Sequence, residues 1–84
     1  MSQNLSQEYD MKLDELNIND KAIIVDIDAD KTLKDRLNSF GIVKNEELTL
    51  KSSSLAKQTI EIDIDGTLIA LRATEAHKIE VKKI

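Results

Sequence analysis

The spacing of apolar residues changes along the chain, and each change marks an element. Residues 1–10, MSQNLSQEYD, are polar and have no period, which predicts a flexible tail ahead of a single domain over residues 11–84. Leu13, Leu16 and Ile18 lead into Ala22-Ile23-Ile24-Val25-Asp26-Ile27, a β-branched run that predicts a strand from Lys21 to Asp28. Leu33, Leu37 and Phe40 then fall at i, i+4 and i+7, the spacing of one buried helical face, and predict a short helix from Leu33 to Phe40. Thr32 followed by Asp35 resembles a capping box, and Gly41 can take the left-handed conformation that ends a helix.

Glu47-Leu48-Thr49-Leu50-Lys51 alternates with period two and predicts a second strand, and Ser52-Ser53-Ser54 reads as a loop. In the segment from Thr59 to Arg72 the pair Asp65-Gly66 signals a two-residue hairpin turn, because a type I′ turn needs positive φ at both central residues. The register follows: Ile64 faces Thr67, Ile62 faces Ile69 and Ile60 faces Leu71, so these residues form the core face. Glu61, Asp63, Leu68, Ala70 and Arg72 take the outer face. Thr74 to Lys78 reads as a helical turn, and Ile79-Glu80-Val81-Lys82 as a last strand. The prediction is a mainly β fold: a small, partly open five-stranded barrel of SH3-like shape, with one short α-helix after the first strand and a helical turn before the last.

Composition narrows the chemistry. With no cysteine among 84 residues, thiol catalysis, iron–sulfur clusters and zinc fingers are excluded. A formal net charge of −4 and two aromatic residues, Tyr9 and Phe40, disfavour nucleic-acid binding, which needs a basic face or stacking rings. No apolar run reaches membrane-spanning length, and no basic-then-apolar leader precedes residue 20, so no membrane insertion and a cytoplasmic address are expected.

Two carboxylate runs imitate calcium loops. In Asp26-x-Asp28-x-Asp30 the sixth position is Lys31 and the twelfth Leu37, while in Glu61-x-Asp63-x-Asp65-Gly66 the twelfth is Arg72, so each lacks a required residue. Strand alternation accounts for both. His77 is the lone histidine, too few for a usual transition-metal site, and nothing in the sequence joins it to Ser52–Ser54 as a base to a nucleophile. Gly41 and Gly66 stand 25 positions apart, so no phosphate loop exists. Neither catalysis, a cofactor nor a metal site is expected. The candidate contact residues are Leu68, apolar on the polar face of the hairpin, Leu55 in a polar loop, and Arg72, whose alternative role is an outer-face ion pair with Glu61.

From Met11 to Val81 the chain resembles the ferrous iron transport protein A family, FeoA. The resemblance rests on Leu13-x-x-Leu16, Ile23 to Ile27, Arg36-Leu37-x-x-Phe40-Gly41-Ile42, Ile69-Ala70-Leu71-Arg72 and Glu75-Ala76-x-x-Ile79-x-Val81. Where the family usually has Pro-Gly turns, this chain has Ile18-Asn19 and Lys44-Asn45, and Asn tolerates the left-handed residue of a type II turn. Positive φ is therefore expected at Asn19 and Asn45. The loop that carries Pro and Gly in the family is replaced by Ser52–Lys57.

The resemblance implies an SH3-like accessory protein that docks to the cytoplasmic part of a FeoB-type membrane ferrous iron transporter. A second implication is kinship with the SH3-like C-terminal domain of iron-dependent repressors, though only ten polar residues precede this domain in the sequence. A proline-peptide-binding SH3 role conflicts with the shortage of aromatic residues. Open barrel edges leave weak self-association as a further possibility.

Overall fold

The computed structural model describes residues 10–54, 56 and 58–84. Among these residues six strands make one antiparallel sheet: β1 (Met11–Lys12), β2 (Lys21–Ile27), β3 (Glu47–Ser53), β4 (Thr59–Ile64), β5 (Thr67–Arg72) and β6 (Ile79–Lys83). Their order is β1-β6-β2-β3-β4-β5, so β1 and β5 are its edges and the barrel is open. Helix α1 (Lys31–Ser39) follows β2, and the one-turn helix α2 (Ala73–Ala76) precedes β6. The mainly β, SH3-like expectation holds with one strand more. That strand is two residues long, held by pairing of Met11 with Val81 and Lys12 with Glu80, and two residues leave no period to read.

The long hairpin has the register its turn dictates, Ile64 opposite Thr67, Ile62 opposite Ile69 and Ile60 opposite Leu71. Asp65 and Gly66 have φ of +54° and +86°, and the Asp63 carboxylate accepts the Gly66 N–H at 2.8 Å. Strand β2 shows why alternation alone is insufficient. Ala22 and Ile24 point inward, but the next buried residue is Ile27, because the register slips between Ile24 and Asp26. This bulge inserts one unpaired residue, bends the strand and turns Ile27 rather than Asp26 to the core. A second slip between Leu50 and Ser52 bends β3, which runs on through Ser52 and Ser53 instead of ending at Lys51. Pairing with Glu61 and Ile60 supplies the ladder that polar serines do not advertise.

Helix α1 starts two residues earlier than its apolar spacing indicates. Asp30, not Thr32, caps it, accepting the Leu33 N–H at 2.9 Å. Its end is a Schellman motif: Ile42 N–H reaches the Leu37 carbonyl at 3.1 Å, and Gly41 N–H reaches that of Asn38 at 3.0 Å. Gly41 has φ +92° with open space around it, so conformation rather than crowding calls for glycine.

Asn19 and Asn45 each have φ +74°, in turns closed by Asp20 N–H to the Asn17 carbonyl and Glu46 N–H to that of Val43. The core joins Leu13, Leu16, Ile24, Leu37, Ile42, Leu48, Ile62, Leu71, Ile79 and Val81 with Leu50, further isoleucines of the strands and two alanines, and no polar side chain among the described residues is buried.

Candidate functional site: an apolar groove between helix α1 and strand β5

Phe40 closes α1 and Leu68 lies on the outward face of β5, directly opposite Asp63 of β4. They wall a groove whose remaining lining includes Arg36, Ser39, Thr67 and Ala70. Leu68 is 60% exposed and Phe40 43%. Helical spacing placed Phe40 on the buried face with Leu33 and Leu37; only Leu37 is fully buried and Leu33 is half-buried. The reason is local: Phe40 is the C-cap, with φ −90° and ψ 0°, and the chain turns away at Gly41 before a further helical turn can carry the ring inward.

Arg36, one turn before Phe40, holds its guanidinium carbon 5.6 Å from the centre of the ring. The same guanidinium pairs with the Glu75 carboxylate of α2. The other oxygen of Glu75 accepts the Arg72 N–H at 3.1 Å. Burial opposes ionisation of Glu75, but the hydrogen bonds from Arg36 and the Arg72 amide, with the positive charge of both side chains, outweigh it and hold the carboxyl below its ordinary range.

The candidate contact residues are not brought together. Arg72 stands at the far end of β5 from Leu68 and borders a different depression with Thr59 and Thr74. It faces Thr59 across the hairpin, and Glu61 accepts the Ser52 hydroxyl at 2.8 Å instead of pairing with Arg72. Leu55 lies outside the described residues. Phe40 and Arg36, which complete the groove, come from a helix 28 or more residues away from Leu68 in sequence; the signal for Phe40 was its place immediately before the capping glycine.

His77 lies 3.2 Å from the Asp14 carboxylate and far from any serine of the 52–54 run in sequence. Glu46, Glu47, Asp63 and Asp65 border a polar depression beside the hairpin turn, yet among the described residues no group of three or more potential metal ligands converges. No helix among them is long and apolar enough to cross a membrane.

The sequence model of the FeoA domain matches residues 11–83. The chain belongs to the FeoA family. It is 47% identical over 74 residues to a Campylobacter jejuni protein named as a candidate Fe(2+) transport protein A, covering 88% of this chain and all of that one. The Stenotrophomonas maltophilia FeoA, a procaryotic SH3 domain protein solved with zinc, is 27% identical with a TM-score of 0.74, over 84% of this chain and 88% of that one. A manganese-dependent transcriptional repressor superposes with a TM-score of 0.82 at 23% identity, over 89% of this chain and 37% of its own. That likeness is one of fold. The same barrel fold spans part of that longer chain.

Proposed function

We propose that this FeoA protein is a non-enzymatic accessory factor for Fe(2+) transport, which binds the cytoplasmic part of the membrane transporter through the groove between α1 and β5. The observation that carries the reading is a paired apolar exposure, Phe40 and Leu68, walling one groove on a member of the FeoA family. Small domains spend large apolar residues on their cores, and two that wall one groove at a sheet edge mark a contact surface more readily than scattered single ones. The relatives' names support transport as the process: the Campylobacter protein is named for Fe(2+) transport, and a ferrous iron transport activating role has been suggested for the Stenotrophomonas protein.

The test is ferrous iron uptake under iron limitation in cells lacking the chain, complemented with wild type or with Leu68→Glu. Restored uptake with wild type and none with Leu68→Glu, at equal protein levels, supports the reading. Unchanged uptake on deletion contradicts it. A reading as a DNA-bound regulator follows only the fold likeness to the repressor, and specific operator binding by the purified chain would favour it over transport.

A further inference from the structure

Helix α1 has no ladder to the sheet. Among the described residues it is tied to the body by buried Leu37, by half-buried Leu33 packed against the core, by Ile42 just past its end, and by the Arg36–Glu75 pair. Leu37 and Ile42 fix its depth, since apolar contact is non-directional. The ion pair adds the directional contact that the apolar anchors Leu33 and Leu37 lack, because a guanidinium facing a carboxylate holds one orientation of the helix. It is also a relay. One oxygen of Glu75 holds the start of α2 through the Arg72 amide, the other holds Arg36, and Arg36 lies over the Phe40 ring that walls the groove. The Glu75 side chain is 14% exposed while that of Arg36 is 51%, so the carboxylate is the fixed end and the arginine the adjustable one.

We infer that the Arg36–Glu75 pair is a clasp that sets the orientation of α1 and the position of Phe40, and so the shape of the groove that receives the partner. Glu75 is a positioning residue, Arg36 positions Phe40 while itself lining the groove, and the inference rests on the groove being the docking face. Glu75→Gln is the informative variant, because the amide oxygen still accepts the Arg72 N–H while the charge is lost. Arg36→Gln removes the other half. The Lys31–Asp35 pair, on an exposed part of the same helix, serves as a control through Lys31→Ala.

Two measurements decide it. In the isolated chain, residual dipolar couplings report the orientation of α1 against the sheet; Arg36→Gln and Glu75→Gln are expected to change the α1 couplings alike, with those of β2, β3 and β4 unaltered and Lys31→Ala matching wild type. In titrations against the purified cytoplasmic domain of the Fe(2+) transporter, each variant is expected to weaken binding on the order of fivefold, and the double variant no further, since both break one pair. Wild-type α1 couplings in both single variants would overturn the clasp, as would losses that add in the double variant. If wild type itself fails to bind, the docking reading falls, while the couplings still decide the clasp.

Discussion

Asn19 and Asn45 carry the same left-handed φ of +74°, and each donates its amide to a carbonyl of a neighbouring strand, Leu50 at 2.7 Å and Ile24 at 2.8 Å. The two turns therefore anchor both ends of the β2–β3 pairing. A residue with a Cβ that lacks the local hydrogen bonding of Asn costs about 1–2 kcal/mol in this conformation. Asn45→Ala should lower stability by about 1 kcal/mol, whereas Asn45→Gly should be close to neutral, its relief of strain offset by the freedom glycine gains in the unfolded chain. Urea unfolding midpoints at constant m-value check this.

The cap of α1 gives a second contrast. Asp30→Ala removes the acceptor of the Leu33 N–H and should cost about 1 kcal/mol, while Thr32→Ala, inside the first turn, should cost a few tenths at most. Equal losses in thermal unfolding would show that the helix begins where its apolar spacing suggested.

Neighbours on β5 should behave oppositely. Ile69, 8% exposed, faces the core, and Ile69→Ala should cost about 2–4 kcal/mol; Leu68→Ala should stay within about 0.5 kcal/mol of wild type. A large loss for Leu68→Ala would mean that its side chain supports the fold rather than a contact surface.

Acid should release the clasp. Glu75 has a lowered folded-state pKa, so the stability it contributes is fully present above the ordinary carboxylate range and is lost as pH falls through that lowered value. The stability difference between wild type and Glu75→Gln, read from urea midpoints, should be constant near neutral pH and shrink toward zero in strong acid. With Arg36 half exposed, the plateau should be about 1 kcal/mol. A difference that grows on acidification would contradict the assignment of sign.

Much of the fold was legible because single residues impose it. Asp65-Gly66 demands one kind of hairpin, Gly41 one kind of helix end, and the alternation on either side sets the register. The bulge in β2 was not legible, since Val25 and Asp26 read as continued alternation and only the pairing with β6 shows the slip. The groove was legible by half. Leu68 stood out as an apolar residue on a polar face, but its companion Phe40 matched the core spacing of its helix, and the Arg36–Glu75 pair joins residues 39 apart with no local pattern between them. Arg72 acts on Glu75 through its main-chain N–H as well as its charge, and the backbone role leaves no trace in residue type.

The central claim is that an FeoA barrel with an apolar groove between α1 and β5 docks there to the Fe(2+) transporter. Titration calorimetry of the purified chain against the transporter's cytoplasmic domain tests it most directly, using wild type, Leu68→Glu and Arg72→Ala, each with its urea midpoint measured. The account predicts saturable binding by wild type, none by Leu68→Glu with an unchanged midpoint, and near-normal binding by Arg72→Ala. Equal affinity for wild type and Leu68→Glu, or no binding by wild type, would contradict it.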